Sequence, residues 1–251
     1  MTIEKTQDLE GLRAIGRVVG LAILHVSSHL RPGISTGELD AIGGEFLAKH
    51  GARSAPMLVY AYPGHTCISV NDEAAHGIPG GRVVRAGDLV NIDISAEMDG
   101  YFADAGASFS VPPSTPEQER LLRAARQALA EAIHRARAGQ LINEVGRAVE
   151  RVARRAGFTV LRELAGHGVG RHIHEDPSVP NFYEPRNRER FREGAVLTIE
   201  PFLSNGGDRV REMPDGWTLA TTNGRLSAQY EHTLVIQRGA PILLTQVEGS
   251  W

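Results

Sequence analysis

The chain has only one cysteine, Cys67, so no intrachain disulfide can form, and the composition fits a reducing compartment. Long apolar runs are missing too: Val18–Val26 is too short to span a bilayer, and His25 interrupts it. The opening residues, MTIEKTQDLEGL, hold no secretory h-region, so a cytoplasmic protein with no membrane partner is expected. Nor is there an excess of positive charge. Lys and Arg number 27 against 30 Asp and Glu, a net charge of −3, and no basic cluster marks a nucleic-acid surface. No linker or low-complexity stretch divides the 251 residues, and 41% hydrophobic with 23% charged residues suits one globular domain, 1–251.

What the chain does have is regular patterning. From Thr6 to about Leu30, apolar residues at Leu9, Leu12, Ile15, Val19, Ile23 and Val26 step by threes and fours, which predicts a helix with one apolar face. Pro32-Gly33 ends it. Ser35 with Glu38 forms a capping box for a second helix. Thr115-Pro116-Glu117-Gln118 forms a cleaner one, with proline at the first helical position, for a helix carrying Leu121, Leu122, Ala125, Leu129 and Ile133. Another helix is expected from Ile142 to about Ala156. Strand-like segments fall near 56–70, 80–111, 194–204 and 217–237, and the polar Asn181–Arg192 stretch reads as a surface connection. The mixture predicts an α+β fold: a curved, mainly antiparallel sheet covered by helices on one face, with the other face left for function.

The chain also repeats itself at an offset of 106 to 107 residues. Gly33-Ile-Ser-Thr-Gly-Glu38-Leu39 leads through a helix to Gly51, and Gly139-Gln-Leu-Ile-Asn-Glu144-Val145 leads through one of equal length to Gly157. Further on, Arg85-Ala-Gly87-Asp-Leu-Val-Asn-Ile-Asp93 aligns with Arg192-Glu-Gly194-Ala-Val-Leu-Thr-Ile-Glu200. Pseudo-two-fold duplicated halves, roughly 1–111 and 112–251, would each send one carboxylate, Asp93 and Glu200, to a common axis. The plainer alternative is a chance match between two helix–turn–strand units.

The segment LVNIDISAEMDGYFADAGASFSV reads as a β-hairpin turning at Asp99-Gly100. A two-residue turn there sets Asp104 opposite Ser95 and Asp93 opposite Gly106. The two carboxylates then share a face as diagonal neighbours, roughly 7–8 Å apart at the backbone. A lone aspartate in a strand is an ordinary turn or edge residue, but two this close repel unless cations lie between them. Three further side chains stand in segments that aim them. His167 sits among the glycines of Ala165-Gly-His-Gly-Val-Gly-Arg, Glu200 is followed by strand-ending Pro201, and Glu231 shares a strand face with Thr233. His172 and His174 could be further ligands, proton donors or polar loop residues. Carboxylates with one neutral imidazole form a hard, oxygen-rich ligand set that favours Mn, Fe, Co or Zn at a two-metal hydrolytic centre. Two ions roughly 3.5–4 Å apart can hold a bridging hydroxide and polarise a carbonyl together.

Taken in order, Asn71-Asp72 through His76-Gly77-Ile78-Pro79, Asn91-Ile92-Asp93, Asp104, Gly166-His167-Gly168-Val169-Gly170, His174-Glu175-Asp176-Pro177, Thr198-Ile199-Glu200-Pro201 and Gln229-Tyr230-Glu231-His232-Thr233 resemble the methionine aminopeptidases. The resemblance covers nearly the whole chain, is of the type-I class, and implies the pita-bread metallopeptidase fold. It implies that Asp93 chelates one metal, that Asp104 and Glu231 bridge both, and that His167 and Glu200 complete the other site. Glu200 would also be the general base when the bridging water attacks. His174 would hydrogen-bond the peptide carbonyl or oxyanion, and His76 the amide nitrogen. Tyr62, Cys67, Phe202 and Trp217 would line the methionine pocket, where rings and a thiol suit a thioether. Asn71 and Ser227 match positions that hold a monovalent cation in relatives. The implied work is removal of the initiator methionine from nascent polypeptides with a small second residue, at the ribosome, by a monomer that binds no nucleic acid.

Three residues depart from the family pattern. Ala105 follows Asp104 where a threonine is usual, so a hydroxyl that would orient a ligand is missing. Ile173 replaces a common phenylalanine before His174, and Val59 a common tyrosine, both expected at the pocket rim. Two other readings compete: a proline-directed peptidase on the same fold, against which Tyr230-Glu231-His232-Thr233 speaks, and a scaffold that lost its metals. Packed carboxylates without cations would be costly to keep, which weighs against the second.

Overall fold

Leu12, Ile15, Val19, Ile23 and Val26 are all completely buried along one side of helix α1, Thr6–Ser28, in the computed structural model, which describes residues 1–251. Helix α2, Thr36–Lys49, starts as its sequence prescribes: the Ser35 hydroxyl accepts from the Glu38 amide and the Glu38 carboxylate accepts from the Ser35 amide. The segment from 56 to 66, expected to extend as strand, instead opens with a short helix α3, Ala55–Tyr60. Ser54 caps it and Pro56 sits in its first turn, a start signal that outweighs the β-favouring run behind it. Thr115 and Gln118 cap α4, Pro116–Arg135, which packs against α5, Asn143–Ala156.

The curved sheet is built from four hydrogen-bonded pieces. The first holds β1 (Cys67–Val70), β2 (Leu89–Met98) and β3 (Tyr101–Ser110), with β2 paired antiparallel to both neighbours. The largest holds β4 (Ala165–Gly168), β5 (Glu175–Pro180) and β6 (Val196–Ile199). Strands β7 (Phe202–Ser204) and β8 (Ser227–Gln229) pair with each other, and β9 (His232–Val235) pairs with β6. An Ala107–Tyr230 bridge joins the first piece to the turn between β8 and β9. α1 lies against β2 and β3, and α4 against β3, β6, β7 and β8, so the apolar core fills the space between helices and sheet.

The two similar sequence segments carry matching hydrogen bonds. Gly33 donates to Val84 as Gly139 donates to Phe191, both at 2.9 Å, and Val84 returns a bond to Ile34 as Phe191 does to Gln140. Gly33, Gly51 and Gly87, like their counterparts Gly139, Gly157 and Gly194, all have positive φ, where a side chain would be strained.

Candidate metal centre

The hairpin ladder sets Asp93 opposite Gly106 and Asp104 opposite Ser95, the register expected from a two-residue turn. Asp99 and Gly100 both have positive φ, 53° and 81°, as a type I′ turn demands. β1 runs along the other side of β2 and brings Cys67 opposite Asp93. From further along the chain, β4 delivers His167, the end of β6 delivers Glu200, and the break between β8 and β9 delivers Glu231. The Glu231 amide donates to the Gly106 carbonyl at 2.9 Å, fastening that carboxylate beside the hairpin.

One cavity of about 460 Å³ is lined by all of the residues singled out for metal, catalysis and pocket: Asp93, Asp104, His167, Glu200, Glu231, His76, His174, Tyr62, Cys67, Phe202 and Trp217. Ligand atoms of Asp104, His167 and Glu231 lie within 4.8 Å of one another. His167 Nε2 is 3.8 Å from Asp104 Oδ2 and 3.5 Å from Glu200 Oε1. Its Nδ1 lies 2.9 Å from the Gly168 carbonyl, which can only accept, so Nδ1 carries the proton and Nε2 offers a lone pair to the acidic cluster.

The electrostatics are those of a site built around positive charge. Burial raises Asp93, Glu200 and Glu231 well above the carboxylate range, and the charge of Asp104 adds to all three. Burial takes Asp104 to about 6 and drops His167 to about 4. Asp104 Oδ1 and Glu231 Oε1 are buried without any hydrogen-bond partner. A buried carboxylate oxygen left bare is expensive, and divalent cations are the ligands that suit this donor set.

Polar side chains hold the cluster in shape. Thr198 accepts from the His167 amide and donates to Glu200 Oε1, both at 3.0 Å. Gln229 donates to Glu231 Oε2 at 2.8 Å while accepting from Asn91 at 2.7 Å. The Thr233 hydroxyl accepts from the Asp104 amide at 2.9 Å and donates to the Asp104 carbonyl at 2.6 Å. Asn181 donates to the Glu200 carbonyl at 2.9 Å. Thr198 and Gln229 each join a carboxylate two residues on to a partner far along the chain, His167 and Asn91 respectively.

At the mouth, the His174 ring sits 4.3 Å from that of His167, and His76 is held at φ 55°, next to the Gly77 carbonyl, which accepts from the Tyr62 hydroxyl at 2.7 Å. Burial, then the neighbouring His174, lowers His76. Tyr62 and Trp217 meet edge-on at 5.1 Å. Burial, with Asp93 opposite, keeps the Cys67 thiol protonated well above its ordinary range, so the pocket presents a neutral thiol. Ile173 is buried in the lining. Val59 is not at the rim as expected: it is 45% exposed outside the lining, and its neighbour Tyr60 occupies the rim. The exposed His172 is also outside the lining. Tyr60 went unnoticed in the sequence, and only its place on an unanticipated helix gives it a role. Apart from the cavity, Ser227 Oγ is buried without a partner, and the Ser227 amide donates to the Asn71 carbonyl at 3.0 Å.

The model of metallopeptidase family M24 matches residues 10–238. Methionine aminopeptidase 2 of Bacillus subtilis is 45% identical over 249 residues, covering 98% of this chain and all of the relative. The crystal structure of methionine aminopeptidase from Thermotoga maritima superposes with a TM-score of 0.94 at 32% identity, covering 98% of this chain and all of that one. A prolidase from Pyrococcus furiosus superposes with a TM-score of 0.78 at 20% identity over 66% of its length, a likeness of fold alone.

Proposed function

The chain belongs to metallopeptidase family M24, and on that footing we propose that it removes N-terminal methionine from polypeptides with Asp93, Asp104, His167, Glu200 and Glu231 as the ligands of two divalent ions. It is a hydrolytic metalloexopeptidase with the pita-bread fold. The observation that carries the site assignment is the pair of bare, buried carboxylate oxygens on Asp104 and Glu231, within reach of a neutral imidazole. When bound, Mn, Fe, Co or Zn ions would supply Lewis acidity, lowering the pKa of water and polarising the scissile carbonyl.

The side chains do the rest. Glu200, held by Thr198, accepts the proton of the attacking water. His174 donates a hydrogen bond to the carbonyl oxygen as negative charge develops there, and His76 contacts the amide nitrogen. Tyr62, Cys67, Phe202 and Trp217 receive the methionine side chain, rings and a neutral thiol around a polarisable sulfur. A monovalent cation between the Asn71 carbonyl and the Ser227 hydroxyl would satisfy that buried oxygen. The matched hydrogen bonds support one catalytic domain, 1–251, of two halves near 1–111 and 112–251. No helix is long and apolar enough to cross a membrane. The enzyme works as a cytoplasmic monomer on nascent chains at the ribosome, prefers a small second residue and binds no nucleic acid.

With Co²⁺ or Mn²⁺ the protein releases methionine from Met-Ala-Ser, faster than from a Met-Phe peptide, and Glu200→Gln lowers the rate by at least about 100-fold. Release from Xaa-Pro peptides in place of Met-Ala-Ser would move the chain to the proline-directed branch. No release with any divalent metal would end the proposal.

A further inference from the structure

We propose that Tyr60 is a positioning residue that fixes the tautomer of His174, an inference that rests on reading His174 as the donor to the substrate carbonyl. Tyr60 ends α3, and its hydroxyl lies 2.6 Å from His174 Nδ1. The rings are 5.6 Å apart and tilted by 39°, and the contact closes across the cavity mouth between residues 114 positions apart. The hydroxyl has no other protein partner.

A neutral imidazole carries one proton, and the hydrogen bond made by one nitrogen decides where it goes. A phenol is a better acid than a neutral imidazole N–H, so the Tyr60 hydroxyl donates and Nδ1 accepts. The proton is then left on Nε2, the nitrogen not engaged by Tyr60, on a ring that lines the cavity beside His167. An Nε2–H can stabilise an oxyanion, whereas a bare Nε2 lone pair would repel it. One exposed tyrosine therefore turns a two-way group into a fixed donor.

Tyr60→Phe keeps the ring and removes only the hydroxyl. Nitrogen-15 NMR of the full-length protein, at a pH about one unit above the ordinary imidazole pKa of ~6.5, reports the tautomer directly, with His174 identified by the signals lost in His174→Ala. The expected result is Nε2–H in the parent protein and a mixture in Tyr60→Phe. In the metal-loaded enzyme kcat on Met-Ala-Ser falls about three- to tenfold, the size of one neutral hydrogen bond, with KM nearly unchanged. Added to His174→Ala, Tyr60→Phe causes no further loss. An unchanged tautomer, or a full additional loss in the double variant, overturns the role of Tyr60. Undiminished activity of His174→Ala overturns the reading of His174 instead, and the NMR result then still decides whether Tyr60 sets its tautomer.

Discussion

Gly106 faces Asp93 across the hairpin, and a Cβ there would run into the side-chain amide of Gln229. That missing methyl is what lets Gln229 reach between Asn91 and Glu231. Gln229→Leu keeps the volume but leaves Glu231 Oε2 without its donor, while the Asn91 amide keeps only its bond to Ser108 Oγ at 3.1 Å. Affinity for Mn²⁺ or Co²⁺, read by titration calorimetry, should fall by about 10–100-fold, with the far-ultraviolet circular dichroism spectrum unchanged. That the five proposed acidic and imidazole ligands share one cavity was legible because each stands where local sequence betrays it, in strict alternation, among glycines or before a proline. The groups that steady them were harder to read. Thr233 looks like a strand residue until Asp104, 129 positions away, is laid beside it. Tyr60 looks like one more apolar residue in an apolar run.

The β2–β3 hairpin shows how much one element can carry. Its turn, its register and the shared face of two carboxylates all follow from Asp99-Gly100 and the alternation around it. Gly100→Ala puts a side chain at φ 81°, with only ordinary contact 3.5 Å from the Arg171 guanidinium, so the cost is conformational. Urea unfolding should show a loss of about 1–2 kcal/mol, while metal affinity stays within about twofold because ten residue pairs hold the register. A large loss of metal binding would mean that the turn, not the ladder, sets the ligands. α3 makes the opposite point. Met-Leu-Val-Tyr is good strand sequence, and a β-favouring segment was a fair expectation. The cap at Ser54 and the proline behind it tipped six residues into a helix, because a start signal fixes backbone geometry whereas apolar content only favours burial.

The assembled protein gathers four desolvated acids, Asp93, Asp104, Glu200 and Glu231, around one cavity, and its stability should report on them. Without metal, burial raises Asp104 to about 6 and holds Asp93, Glu200 and Glu231 higher than ordinary carboxylates. Between the unfolded and folded pKa values the native state binds more protons than the unfolded chain, so stability falls as pH rises. The buried imidazoles oppose this at lower pH. His167 and His232, both lowered to about 4 by burial, are neutral in the native state while the unfolded chain is still protonated, so their effect raises stability up to about pH 6.5. Above about pH 6.5 the imidazoles no longer differ. The sign that is left is that of the raised groups, the buried carboxylates and the Cys67 thiol, which the native state keeps protonated longer than the unfolded chain does. EDTA-treated protein should therefore lose thermal stability from about pH 6.5 upward, and Mn²⁺ at about one hundred times its Kd should remove that slope and add about 2.7 kcal/mol. Calorimetric scans across pH, with and without metal, check it. A melting temperature that climbs over the same range and ignores the cation would contradict the charge balance described here.

Amphipathic spacing, capping residues and a two-residue turn act over a few bonds, so helices α1, α2, α4 and α5 and the hairpin register were all written in the linear chain, as were the five side chains proposed as ligands, which line one cavity. The matching segments 106 to 107 residues apart also carry matching hydrogen bonds, Gly33 to Val84 and Gly139 to Phe191. Distance and partnership were not written in the sequence. Which oxygens stay bare, which nitrogen of His167 faces them, and that Tyr60 rather than Val59 guards the mouth depend on contacts between residues far apart in sequence. Such contacts exist only once the chain has folded, because hydrogen bonding and desolvation act between neighbours in space, whatever their separation along the chain.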